Sequence, residues 1–350
     1  MKTASMTAAP VDFQKFDSAK YFPSLDGMRA ICVLLVMFNH VHAQVPHWVL
    51  GWLGVDVFFV LSGFLITTLM VRERERSGRV SLKAFYTRRF FRIIPVYLFT
   101  VLLYAIAVRI THDAVKTAEF DKALPWLLTF MQEYRPEGTG YVLGHAWTLG
   151  IEEKFYVFWP LLLIILYPFR PRAMLSLAAL FLAVLLLPHL YARSYGGLLV
   201  GAALAIALSS RARWNWLMPL LVVPDGYLCL LVLATYALCC LDYRLVLWFA
   251  VAVAWLIASL VRRTGLVRTL LESRILVYIG KRSYAIYLIH VLVLDSVSRL
   301  SVSVLPANAF VLVMIAYVGS VAFASLMHVL IEQPCINWGK RMSARIVANA

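Results

Sequence analysis

Residues 51–71 read Gly51-Trp-Leu-Gly54-Val-Asp56-Val-Phe-Phe-Val-Leu-Ser62-Gly63-Phe64-Leu-Ile-Thr-Thr-Leu-Met-Val71, an apolar run interrupted by one acidic side chain. A helix of this length covers the ~30 Å hydrocarbon core of a bilayer at 1.5 Å per residue. Similar runs recur along the 350 residues. The chain is 62% hydrophobic and only 15% charged, with a mean hydropathy of +0.79; soluble domains are about 45–50% apolar and about 25% charged. The sequence therefore predicts an all-α, polytopic membrane helical bundle.

Ten spans are predicted, near 30–44, 51–71, 93–110, 142–168, 173–190, 195–210, 216–241, 245–261, 283–300 and 309–331. Pro224, Asp225 and Gly226 interrupt the seventh, which is one kinked helix or two half-helices. On this count 25 of the 33 Lys and Arg residues fall on one side, 7 on the other, and Lys154 lies within a span. Basic loops stay in the cytoplasm, so both termini are predicted there. The expected organisation is a cytoplasmic segment 1–28, a transmembrane domain 29–334 and a cytoplasmic tail 335–350. Residues 1–28 are mixed polar, without the pattern of a cleavable signal.

The net charge of +15 is spread over short loops between apolar runs, which explains it as a topology signal and argues against nucleic acid. Four of the five cysteines lie in apolar runs and none forms a CxxC pair, so neither a disulfide framework nor a metal site is expected.

Ionisable groups within spans are costly and mark functional interiors. They include His40, Asp56, His145, Glu152, Glu153, Lys154, His290, His328 and Asp295. Arg29 and His40 bracket the first span, separated by ~16 Å along a helix axis. A neutral imidazole can take a proton from a hydroxyl; the competing reading is a packing histidine bonded to a carbonyl. The fourth span opens His145-Ala-Trp147-Thr148-Leu-Gly150-Ile-Glu152-Glu153-Lys154-Phe-Tyr156. Neighbouring carboxylates there point about 100° apart, and Glu152 shares a face with Thr148 and Tyr156. Either it orients an imidazole or binds hydroxyls, or it makes an interhelical hydrogen bond. The 72–92 loop is dense in arginine. Arg72 to Arg79 suit lipid headgroups, whereas Arg88, Arg89 and Arg92 abut an apolar run and suit phosphate binding.

Together these strings resemble the acyltransferase-3 family of integral membrane acyltransferases. The resemblance runs through Arg29 and His40; Gly54 to Phe64; Arg88-Arg89-x-x-Arg92-Ile93-x-Pro95-x-Tyr97; His145-x-Trp147-Thr148-Leu149-x-x-Glu152-x-x-Phe155-Tyr156; Ser283-Tyr284-x-x-Tyr287-Leu288-x-His290; and Glu332-x-Pro334. Thr148 stands where the family usually has serine. The resemblance implies a stand-alone member of the bacterial inner membrane that moves an acyl group, acetyl above all, from cytoplasmic acyl-CoA to a hydroxyl of a glycan such as O-antigen, exopolysaccharide or peptidoglycan. It implies His40, Glu152 and Arg29 as catalytic. Acetyl-CoA would dock on Arg88, Arg89 and Arg92, with Asp56, His145, Trp147, Tyr156, Tyr284 and His290 in support. Its partners would be the acyl-CoA, the glycan or lipid-linked glycan and the membrane lipids. Direct transfer and an acyl-His40 intermediate both fit. A permease for a lipid-linked sugar is the competing reading; the absence of a visible inverted repeat weighs against it.

Overall fold

The computed structural model describes residues 12–19, 21–40, 51–166, 190–217, 219, 223–304 and 309–349. Among the described residues the chain is helical, without a β-strand. Four helices are long and apolar enough to cross a membrane: Leu53–Ser77, Leu82–Ile110, Tyr243–Arg262 and Met314–Ala348. Two bent pairs bring the number to six if each is one span. Ser194–Leu208 turns by 109° into Arg211–Leu217, and Arg274–Lys281 turns by 75° into Ser283–Arg299. Most of the predicted span 173–190 lies outside the described residues.

Helix boundaries follow local signals. Helix α1 is Phe13–Ser18. Helix α2, Pro23–Asn39, begins earlier than predicted. Proline is pre-set for the first helical turn, and Asp26 in that turn holds Arg29 at 3.3 Å. The helix ends at Asn39, so His40 follows it in a turn rather than lying inside it. Helix α3, Leu53–Ser77, stops at Gly78, whose φ of +74° suits glycine and whose N–H bonds Arg74 O. Helix α4, Leu82–Ile110, starts where the Ser81 hydroxyl accepts from Ala84 N. Arg88, Arg89 and Arg92 are therefore helical residues, not part of a loop.

The described residues form two compact units interleaved in sequence. One comprises 1–39, 46–80 and 159–281. In it α3 packs on α7 (Leu190–Leu208) at backbone distance. A Cβ on Gly63 would strike the Leu198 carbonyl, and one on Gly201 would strike that of Val60. Small residues permit such approach between membrane helices. Arg72, which the sequence assigned to headgroups, is 7% exposed and donates to Phe16 O at 2.6 Å and Ala19 O at 2.7 Å. It pins α1 instead. The seventh predicted span is not one continuous helix: α8 (Arg211–Leu217) and α9 (Asp225–Leu241) are separate, and Pro224 immediately precedes α9.

The other unit comprises 40–45, 81–158 and 282–350. The 111–140 segment contains helix α5, Ala114–Leu128, capped by Asp113. Phe120, Ala123 and Leu127 are fully buried along one face of it. Helix α6, Trp147–Leu166, starts in this unit. Its Lys154 donates to Glu133 at 2.6 Å, Phe130 O at 2.8 Å and Gly150 O at 3.2 Å. All three ammonium protons thus have acceptors. Later come α10 (Val246–Arg262), α11 (Leu266–Leu271) and α12 (Arg274–Lys281) in the first unit. The second unit continues with α13 (Ser283–Val304), α14 (Ala309–Met327), a π-helical turn at His328–Glu332 and α15 (Gln333–Ala348).

Gly201→Val should destabilise the chain by about 1–3 kcal/mol through overpacking. Gly226→Ala, whose added Cβ meets nothing within 4 Å, should change thermal unfolding in detergent by less than ~0.5 kcal/mol. Lys154→Met strands the buried Glu133 carboxylate and should cost ~3–5 kcal/mol. Adding Glu133→Leu should restore most of that loss in the same melt.

Candidate functional site

The second unit gathers residues from three separate sequence strings. His40 comes from the turn after α2. His145 comes from a 3-10 turn, Gly144–Ala146, that Leu143 enters at φ +52° and that leads into α6. His290 comes from the second turn of α13. Their ring centroids lie 4.8 Å apart for His40 and His290, 4.9 Å for His145 and His290, and 5.9 Å for His40 and His145. His290 is fully buried and His145 is 7% exposed. His40 is half-buried.

Backbone carbonyls orient two of the rings. A carbonyl only accepts, so the nitrogen facing it carries the proton. His290 Nδ1 donates to Tyr287 O at 2.6 Å, and His145 Nε2 donates to Leu288 O at 3.3 Å. The remaining nitrogen of His290, Nε2, lies 3.3 Å from His40 Nδ1. Tyr287 ties α13 to the 3-10 turn: its hydroxyl donates to His145 O at 2.7 Å and lies 2.8 Å from Thr148 Oγ1. Tyr284, Tyr287 and His290 are spaced three residues apart, so they form one stripe along α13.

Beneath this cluster runs a stripe of polar and aromatic groups. Tyr284 donates from its hydroxyl to Ile93 O at 3.1 Å. Glu152, Glu153 and Glu332 lie within electrostatic reach of it. Glu153 in turn lies within reach of Arg89. The Arg89 guanidinium sits over the rings of Phe85 (5.7 Å) and Tyr156 (5.3 Å). Arg88 and Arg92 occupy successive turns of α4, half-buried and exposed respectively. Glu332, 2% exposed, accepts from His328 Nδ1 at 2.9 Å inside the π turn. Pro334 lacks the N–H an α-helix would need there, and π turns recur at functional sites.

His40, His145, His290, Glu152, Tyr156, Tyr284 and the three arginines thus belong to one unit, as does Trp147, half-buried at the start of α6. Arg29 and Asp56 belong to the other. Arg29 is half-buried and paired with Asp26; Asp56 is 4% exposed in the first turn of α3. The positive end of a helix favours a carboxylate at such a position. Sequence reasoning matched Tyr287 and Thr148 to motifs but gave neither a role. The signal was available: Tyr287 precedes His290 by three residues. No group among the described residues is arranged to hold a metal ion.

Comparison with known proteins identifies the family. A family model described as an acyltransferase domain matches residues 22–329. The chain is 30% identical over 312 residues to O-acetyltransferase OatA of Staphylococcus aureus (strain NCTC 8325 / PS 47), covering 79% of this chain and 51% of that protein. It is 28% identical over 371 residues to a protein of Staphylococcus aureus (strain COL) provisionally named as an O-acetyltransferase, covering 93% of this chain and 60% of that protein. The chain thus spans about half to three-fifths of the length of these relatives. No solved structure matches. With a family match over most of its length, the chain belongs to the acyltransferase-3 family.

Proposed function

We propose that this chain is a multi-pass O-acyltransferase of the bacterial inner membrane. It moves an acetyl group from cytoplasmic acetyl-CoA to a hydroxyl of a glycan such as O-antigen or exopolysaccharide. The observation that carries the reading is the convergence of His40, His145 and His290, drawn from three separate family strings, above a stripe that reaches Arg89. The names of the S. aureus relatives support acetyl as the group transferred.

In this reading the arginines on α4 hold the phosphates of acetyl-CoA. Guanidinium forks suit phosphate oxygens, and Arg89 is already held between Phe85 and Tyr156. The pantetheine arm extends along Tyr284 and Tyr287 toward the imidazoles. The acceptor hydroxyl gives its proton to His40 as its oxygen attacks the thioester carbonyl. The new C–O ester bond forms, the C–S bond breaks, and the proton passes to the departing thiolate to give CoA. Glu152 assists charge development, with His145, Trp147 and Tyr156 shaping the surroundings; Arg29 as a catalytic residue and Asp56 as a supporting one are carried over from the family strings. The topology belonging to this reading has ten spans with both termini cytoplasmic. Residues 29–334 form the acyltransferase domain between the segments 1–28 and 335–350.

General acid–base help accounts for ~10²–10⁴-fold in rate. His40→Ala should therefore lower glycan O-acetylation at least ~10²-fold in a host lacking the native gene. Mass spectrometry of surface glycans, at equal protein in the membrane fraction, checks this. Wild-type acetylation by that variant would refute the assignment. Arg88→Ala and Arg92→Ala should each raise KM for acetyl-CoA about tenfold with kcat unchanged, the loss of one charge-assisted hydrogen bond. CoA release at varied acetyl-CoA concentration measures it.

A further inference from the structure

His290 is fully buried and makes two directed contacts, one to a backbone carbonyl and one to His40. Nδ1 donates to Tyr287 O at 2.6 Å, and Nε2 lies 3.3 Å from His40 Nδ1. In neutral imidazole one nitrogen carries a proton and the other a lone pair. Because Tyr287 O can only accept, the His290 proton is on Nδ1 and its lone pair is on Nε2. A hydrogen bond across the 3.3 Å between the two rings then takes its proton from His40, on Nδ1. That places the lone pair of His40 on Nε2, the far side of the ring. The tautomer of a catalytic histidine is commonly set in this way by what its other nitrogen contacts.

We propose that His290 is a positioning residue that fixes His40 as its Nδ1–H tautomer and so presents Nε2 as the basic atom. A backbone carbonyl, relayed through a second imidazole, does what a carboxylate does in a serine-hydrolase triad. The relay itself, a carbonyl and two neutral imidazoles, holds no net charge at rest. Tyr287 contributes twice. Its carbonyl orients His290, and its hydroxyl anchors the turn bearing His145. The ring of His145, tied by Nε2 to Leu288 O, packs against both other imidazoles and limits their rotation.

This inference rests on the proposed role of His40 as base, so its test has one arm that involves no acyl transfer. The full-length protein, labelled with ¹⁵N-histidine in lipid bilayers, should show His40 protonated on Nδ1 and bare on Nε2. The resonance is assigned by its loss in His40→Ala. In His290→Phe the His40 ring should shift toward the Nε2–H tautomer. Protonation of His40 on Nε2 in the wild type, or a tautomer indifferent to His290→Phe, would overturn the proposal whatever the activity. The second arm is kinetic. His290→Phe should lower kcat for glycan O-acetylation ~10²-fold, within the range of lost acid–base help, with KM for acetyl-CoA unchanged. His290→Gln, whose side-chain oxygen can accept from His40 Nδ1, should recover to within ~10-fold of wild type. Equal, wild-type-like kcat in both variants, or equal losses in both at equal folded protein, would contradict it. A correct tautomer in a protein that does not acetylate would instead discard the functional reading and leave the relay standing.

Discussion

A polar hydrogen buried among membrane helices must find an acceptor inside the protein, since no water is at hand to replace it. The second unit meets that requirement for its imidazoles with helix carbonyls. Tyr287 O and Leu288 O, on adjacent residues of α13, take the protons of His290 and His145. Two rings are thereby oriented without a buried charge, and the third, His40, is set against one of them. The remaining architecture of the site depends on α13 presenting Tyr284, Tyr287 and His290 along one stripe, and on the turn before α6 meeting it.

That meeting is secured from several directions. The Tyr287 hydroxyl bonds His145 O, and Tyr284 reaches Ile93 O on α4. On α6, Lys154 draws in Glu133 and the carbonyl of Phe130. Tyr97 continues the same logic. It donates to Leu127 O at 2.9 Å and accepts from Gln132 Nε2 at 2.6 Å, closing the segment after α5 over α4. The other unit uses different devices. Gly63 and Gly201 let α3 and α7 approach at backbone distance, and Arg72 anchors α1 through two carbonyls.

Hydropathy made the helical membrane character of the chain legible, because long apolar runs have one economical fate. The motif strings located most of the candidate site. Boundaries are less legible, because charge by itself does not end a helix. Arg72 to Arg76 and Arg88 to Arg92 are helical because capping at Ser81 and Gly78 sets the limits, not polarity. Helix α5 was missed because its apolar face spans only Phe120, Ala123 and Leu127. The bonding of His40 was out of reach of sequence reasoning. His290 lies 250 residues away, and only the folded unit sets Nε2 of one ring against Nδ1 of the other. The sequence offered Glu152 as a group that could orient an imidazole. The proposed relay gives that task to His290, a histidine first counted among supporting residues.

The central claim is that this helical unit carries acetyl from acetyl-CoA to a hydroxyl through His40. Its most direct test is stoichiometry in a reconstituted system. The purified chain in proteoliposomes would be given acetyl-CoA on one face and membrane glycan extract on the other, with free CoA thiol and glycan O-acetyl counted together. The account predicts one CoA released per acetyl ester formed, both dependent on the acceptor and both lost in His40→Ala. Folded wild-type protein that forms ester without releasing CoA, or an unaltered yield from the His40 variant, would contradict it.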